Sequence, residues 1–325
     1  MGISEDFRGS AVGESKELPW VLVTNDDGIY APGIRALVSA LVDSGMCRVF
    51  VCAPDRERSA ASHVMTVYES LSASAIDIKG AVAYAVSGTP ADCVSLTLSG
   101  VLSPPIKPAL VLSGINKGCN CGYHIFYSGT LAGAREAVIV GVPAIALSLD
   151  WKRAQSHGTD FDVAASISLP LIKSALHYLE NGGFSKDLFL NINIPTVPSD
   201  HKGFKVTKQG IARYPVRWLP VSPPGKGSSV PTLEGQTTKS LYDNDTQKDE
   251  TVLVPDNTSD TDHQKLHFHI DYTLGDKLDM DSDFDFGAVR NEFVAVSPLA
   301  LVSDDYNEYY SQVAAWVATL NSVGL

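Results

Sequence analysis

The sequence predicts an α/β domain built on a mostly parallel sheet covered by helices on both faces. Three observations carry this prediction. Short apolar runs alternate with helical patterns from residue 19 to residue 150. The apolar runs are nearly continuous, as strands buried on both faces must be. Polar, glycine-containing stretches follow several of those runs, where parallel sheets place ligands.

The first strand is PWVLVT (19–24). A helix follows with Pro32 in its first turn, where a missing N–H costs nothing. Ile34, Leu37, Val38 and Leu41 share one of its faces, and Gly45 suits its end. RVFVCAP (48–54), AVAYAVSG (81–88), PALVLSG (108–114) and PAIALSL (143–149) are further strands, with helices over 90–102 and 129–140. Residues 161–181 read as a helix kinked or broken at Pro170. LFLNINIP (188–195) is another strand, and GFKVTKQGIARY (203–214) alternates like a hairpin turning near Gly210. Residues 220–265, rich in Pro, Gly, Ser, Thr, Asp and Lys, read as a long polar excursion. The segment 306–323 is an amphipathic helix with Val313, Trp316, Val317 and Leu320 as its apolar stripe. The expected organisation is a polar tail (1–18), a core (19–200) and a C-terminal part (201–325).

Composition narrows the function. The 325 residues carry a formal charge of −12, which argues against a nucleic-acid polymer as partner. Five cysteines, Cys47, Cys52, Cys93, Cys119 and Cys121, are an odd count in a large chain. A disulfide framework is not expected, and a reducing, cytoplasmic setting fits. No apolar run reaches the roughly 18 residues of a membrane span, so no membrane partner is expected. Glu5, Asp6, Glu14 and Glu17 are out of keeping with a transit peptide. Asp6 breaks the myristoylation pattern.

The chemistry gathers at strand ends. The first strand runs into Asn25, Asp26, Asp27 and Gly28; the second into Arg56, Arg58 and Ser59; the fourth into Asn116, Asn120, Ser128 and Thr130. Adjacent carboxylates repel, and keeping both ionised needs a cation. In a regular strand neighbouring side chains oppose each other, so the pair can share a target only where the strand has ended. A single such Asp could equally be a helix cap or turn residue. Two carboxylates, the Ser59 hydroxyl and the Asn116 amide oxygen are hard donors, which favour Mg²⁺ or Mn²⁺, allow Ca²⁺ and disfavour a zinc cage.

Gly114, Gly118 and Gly122 permit close backbone approach to a ligand. Ser128, Gly129 and Thr130 then open a helix, and free N–H groups at a helix start hold phosphate. An ordinary serine N-cap is the competing reading. A hard cation beside such a site implies phosphate-ester hydrolysis, with Asp26 or Asp27 positioning or deprotonating water. Arg56, Lys117 and the loop N–H groups would steady the phosphoryl oxygens.

Other phosphate motifs fail. There is no G-x-x-x-x-G-K-[ST] and no post-strand G-x-G-x-x-G. An aspartyl-phosphate mechanism would need a carboxylate where Asn25 stands. Cys52 and Arg58 fit C-x₅-R literally, but the loop between them carries Asp55, Glu57 and Pro54, which repel or cannot cradle a dianion.

NDDGIYAPGIRAL, APDRERSAAS, SGTPADCV, SGIN and YSGT, in this order, resemble the survival protein SurE family. The likeness resumes in FLNINIP, KGFKVTKQG and DFDFGAVRNEFVAVSPLAL. It implies a Rossmann-like, three-layer α/β core with a C-terminal hairpin and helix used to build a homodimer or homotetramer. It implies a metal-dependent phosphatase acting on nucleoside monophosphates, with 3′ esters and short polyphosphate as further substrates. The family's metal ligands fall on Asp26, Asp27, Ser59 and Asn116, and its substrate loop on Asn120 and Ser128 to Thr130. Asp26, Asp27 and Asn116 are thus the candidate catalytic groups. Asn25, Arg56, Asn120, Ser128, Gly129 and Thr130 are the candidate substrate contacts. A non-hydrolytic nucleotide-binding regulator is the rival reading.

Two departures look like the plant branch of that family. The segment 118–124 reads Gly-Cys-Asn-Cys-Gly-Tyr-His where the family carries two acids, and His63 replaces a usual asparagine. His63 is either a proton donor to the leaving oxygen or structural. Cys119 and Cys121 alone make a poor soft-metal site. Asp279, Asp281, Asp283 and Asp285 alternate like a calcium loop, but Phe284 stands where glycine is required, so a solvated acidic loop is expected.

Overall fold

The computed structural model describes residues 17–102, 104–181, 187–213, 216–221, 267–272 and 280–301. The predicted terminal helix (306–323), most of the acidic tail and nearly all of the polar excursion lie outside the described residues.

The N-terminal half follows the predicted alternation. β1 (Trp20–Thr24), α1 (Pro32–Ser44), β2 (Arg48–Pro54), β3 (Ala73–Ala75), β4 (Ala81–Val86), α2 (Pro90–Leu98), β5 (Leu110–Lys117), α3 (Gly129–Ile139) and β6 (Ala144–Leu149) succeed one another. α1 begins at Pro32 and ends on Gly45, whose left-handed backbone lets its N–H donate to the Val42 carbonyl at 3.2 Å. α4 (Asp160–Glu180), β7 (Leu188–Ile194), β8 (Phe204–Val206), β9 (Val216–Val221), β10 (His267–Tyr272), α5 (Asp285–Arg290) and β11 (Val294–Ala300) complete the described strands and α-helices.

Nine strands form one sheet in the order β3-β4-β2-β1-β5-β6-β7-β11-β8. β1 pairs in parallel with both β2 and β5. The chain moves outward from β1 to β2 and β4, then returns to lay β5 on the other flank. The gap beyond the ends of β1 and β5 is therefore the switch point where sheets of this kind hold ligands.

Strand alternation divides the core. Val21, Val23, Val49 and Val51 face α1 and α4, packing with Leu37, Leu41 and Phe161. Leu22, Phe50 and Cys52 face α2 and α3, packing with Cys93, Leu131 and Ala134. Withdrawing one such large side chain from water contributes about 2 kcal/mol. These layers fix the strand ends that carry the polar loops.

Four expectations are corrected. α4 is not broken at Pro170, which lies inside a helix of 21 residues. Pro170 is exposed, so water can replace the lost backbone bond, while Phe161, Ala164, Ala165 and Ile172 pack on the sheet. Residues 203–214 do not fold as a hairpin. β8 pairs in parallel with β11, and the antiparallel ladder joins β9 to β10 across the excursion. β5 runs past its predicted end to Lys117, with a register shift between Ser113 and Asn116 against β6. Asp285 is no solvated acid. It is fully buried, and its carboxylate accepts N–H bonds from Gly122 (2.8 Å), Gly210 (2.9 Å) and Phe286 (2.8 Å).

Candidate active site

β1 ends on Thr24, and the next residues turn sharply. Asn25 is wholly buried and donates from Nδ2 to the Gly28 carbonyl at 2.9 Å, bracing the turn. Gly28 has φ +99°, and an added Cβ would lie 3.1 Å from the Arg56 carbonyl carbon. Only glycine combines that backbone with so close a neighbour. The turn sets Asp26 and Asp27 at the head of the switch point.

Four segments meet at the pair. The Arg58 N–H, from the loop after β2, donates to the Asp26 carbonyl at 2.7 Å. The Lys117 N–H, at the end of β5, donates to Asp27 Oδ2 at 3.0 Å. The Thr130 hydroxyl, in the first turn of α3, donates to Asp26 Oδ1 at 2.6 Å. Gly129 passes so close that a Cβ there would stand 2.8 Å from Asp26 Cβ. The predicted convergence of the β1, β2 and β5 loops with the α3 start is thus realised.

The remaining candidates lie on the same loops. Asn116 donates from Nδ2 to the Gly118 carbonyl at 2.8 Å, leaving its oxygen for another partner. Ser59 is exposed on the β2 loop, its hydroxyl 3.0 Å from Glu57 Oε1. Arg56 is exposed beside it. Ser128 caps α3 by accepting the Leu131 N–H at 3.1 Å. Asn120 is buried and donates to Ser148 Oγ at 2.9 Å and Thr130 Oγ1 at 3.4 Å. Its backbone is held by Asn193 Oδ1, which takes its N–H at 2.7 Å, and by the Asn191 amide, which donates to its carbonyl at 2.8 Å.

His63 lies away from the acid pair in its bonding. Its Nε2 sits 2.9 Å from Glu136 Oε2, far along α3, so the ring is engaged structurally. Cys121 is buried, and burial with the neighbouring Cys119 thiol pushes its pKa well up, which disfavours a thiolate ligand. Cys52 is fully buried within β2, although its hydrogen bond with Cys93 outweighs burial and lowers its pKa.

Electrostatically the acid pair is under-compensated. Burial raises the Asp26 pKa against the lowering pull of the Thr130 hydrogen bonds, and Glu57 adds to the rise. Burial first, then the neighbouring Asp26 charge, pushes Asp27 up to about 7. Among the described residues neither carboxylate has a Lys or Arg partner in an ion pair. Asn25 Oδ1, buried without a hydrogen-bond partner, adds a further electron-rich oxygen close by. Among the described residues there is no cage of three His, Cys, Asp or Glu side chains. The donor set is instead two carboxylates with neutral oxygens, which suits a hard dication and leaves positions for other ligands.

Thr130, expected as a substrate contact, holds Asp26 instead. Three other contributors escaped the sequence reading. Glu57 is a third carboxylate felt by both aspartates. Asn191 and Asn193 anchor the Asn120 loop. The last pair had a signal: two asparagines two residues apart in an apolar strand must share a face and need buried partners.

A family profile described as Survival protein SurE matches residues 21–216. A 5′-nucleotidase SurE from Symbiobacterium thermophilum is 38% identical over 262 residues, 80% of this chain and 95% of that protein. A 5′-nucleotidase SurE from Thermosynechococcus vestitus is 44% identical over 201 residues, 60% of this chain and 71% of that protein. The crystal structure of SurE protein from Aquifex aeolicus superimposes with a TM-score of 0.65 at 34% identity, covering 90% of this chain and 98% of that one. No described helix is long and apolar enough to cross a membrane. With a matching profile over more than half its length, and with acid pair, β5 end and α3 start meeting where the motifs place them, the chain belongs to the SurE family.

Proposed function

We propose that this protein is a divalent-metal-dependent phosphatase that hydrolyses nucleoside monophosphates to nucleoside and phosphate. The observation that carries the proposal is the buried, uncompensated Asp26–Asp27 pair set against the first turn of α3. A dication held there would balance the pair, and the helix start would stabilise a phosphoryl group beside it.

Asp26, Asp27, Ser59 and Asn116 are the residues that would hold the cation. When bound, it supplies Lewis-acid polarisation of the phosphoryl group and activation of water. The chain supplies the rest. Thr130 and the Arg58 and Lys117 amides fix both aspartates before substrate arrives, so little reorganisation is needed. The Gly129 amide lies in a first helical turn whose N–H groups lack intrahelical partners, and would donate to the phosphoryl oxygens. Arg56, unburied at the rim, offers a mobile cation to the same group. Asp26 or Asp27, ionised beside the cation, would position the attacking water or accept its proton.

The assay is phosphate release from nucleoside monophosphates with Mg²⁺ or Mn²⁺, before and after chelation. Release that is lost with EDTA and restored by the ion is expected. Release indifferent to EDTA refutes the metal role, and no release favours a nucleotide-binding regulator. The resemblance carries hydrolysis of 3′ esters and short polyphosphate into the proposal, along with assembly as a homodimer or homotetramer. A substrate panel and light scattering test these directly.

A further inference from the structure

We propose that Tyr123 and Phe126 form the stacking platform for the substrate's nucleobase, an assignment that rests on the nucleotidase reading above. Both project from the 3₁₀ turn Gly122–Phe126, which leads directly into the start of α3. Tyr123 is 40% and Phe126 57% exposed, and their ring centroids lie 6.2 Å apart with planes inclined at 44°.

The turn that carries them is clamped on every side. The Tyr123 N–H donates to the Ala212 carbonyl at 2.9 Å, and the Gly122 N–H to Asp285 at 2.8 Å. Ser62 donates its N–H to the Tyr127 carbonyl at 3.0 Å and its hydroxyl to the Phe126 carbonyl at 2.6 Å. Holding apolar rings rigid in water gains the fold nothing through burial. It does pre-pay the ordering cost of a ligand that stacks on them.

Position and charge identify that ligand. Phe126 precedes Gly129 by three residues, so its Cα lies at most about 11 Å from the helix start that grips phosphate. That bound is within the span from a nucleotide's phosphate to its base. The platform is also uncharged. Tyr123 and His124 stand where the resembling family carries acids, and burial lowers the His124 pKa to about 4, so the imidazole is neutral at pH 7. A neutral π surface suits a heterocycle, and the wider face of a purine gains more than a pyrimidine.

The double variant Tyr123→Ala/Phe126→Ala removes both rings and keeps every backbone clamp. For adenosine 5′-monophosphate, kcat/KM is expected to fall about 10-fold or more, since base stacking is worth roughly 1–3 kcal/mol. For ribose 5-phosphate, which lacks a base, it should be unchanged, and Tyr123→Phe should behave as the parent. Equal losses on both compounds, or no loss on either, overturn the platform. So does a change of oligomeric state in light scattering, which would assign the rings to a subunit contact. If the parent releases no phosphate from either compound, the nucleotidase reading fails by itself. Saturation-transfer NMR of adenosine 5′-monophosphate in EDTA then decides the platform alone. Base protons should receive more saturation than ribose protons, with the excess lost in the double variant; equal saturation in the parent refutes it.

Discussion

Two buried acidic centres in this protein have opposite constructions. Asp285 is wholly withdrawn from solvent, yet three backbone N–H groups from three segments point at its oxygens. Asp26 and Asp27 share a turn, repel each other, and receive the Thr130 hydrogen bonds and the Lys117 N–H. Burial of a carboxylate does not by itself mark an active site. What separates the two is the count of donors against charges. Asp285 has a full set of donors and belongs to the scaffold, whereas the pair is left short of them.

Substitutions should break this comparison in opposite directions. Asp27→Asn is expected to lower phosphate release by about 100-fold or more, the scale on which removing a preorganised charge acts. Its fold should persist, and in EDTA its melting temperature should match or exceed the parent's, because a buried repulsion has been removed. A severe loss of stability would place Asp27 with Asp285. Asp285→Ala should do the reverse, costing about 3 kcal/mol in urea unfolding by orphaning buried N–H groups. An unchanged unfolding midpoint would show that the acceptor is dispensable.

Smaller effects sharpen the contrast. Thr130→Val leaves Asp26 without its hydroxyl donor at nearly constant shape and should cost about 1–2 kcal/mol of transition-state stabilisation, roughly a 10-fold drop in kcat/KM. Thr130→Ser should recover it, and a variant as impaired as valine would mean that the methyl group matters instead. The mildest test is pH. The folded Asp27 pKa, near 7, lies above its unfolded value of 3.8. Between those values the folded chain binds more protons than the unfolded one, so stability falls as pH rises. Urea midpoints in EDTA should therefore decline from pH 5 to pH 8, with a flatter profile for Asp27→Asn; parallel profiles contradict the assignment.

Much of the centre was legible because it is made by strand ends. A parallel sheet puts its C-terminal loops on one edge, so Asp26, Ser59, Asn116 and Thr130 could be gathered without knowing any contact. The β1-to-β6 core was legible for the same reason: each element carries its own period and its own end signals. What could not be read depends on distant pairing. Gly122 and Asp285 are 163 residues apart, and Asn120 and Asn193 are 73 apart. No local pattern announces such partners. β8 alternates like a strand, but alternation is silent about which strand it joins, and the neighbouring alternation at 208–214 suggested a hairpin that the pairing with β11 replaced. Pro170 misled because a rule about lost hydrogen bonds takes no account of which side of a helix faces water.

The bond from Gly122 to Asp285 also sets an order of events during synthesis. The acid pair, the helix start and the strands around them all leave the ribosome long before residue 285 does. A nascent chain halted short of that point would carry the acid pair but not the brace beneath the aromatic turn. The aromatic turn is thus fully braced only after residue 285 has emerged.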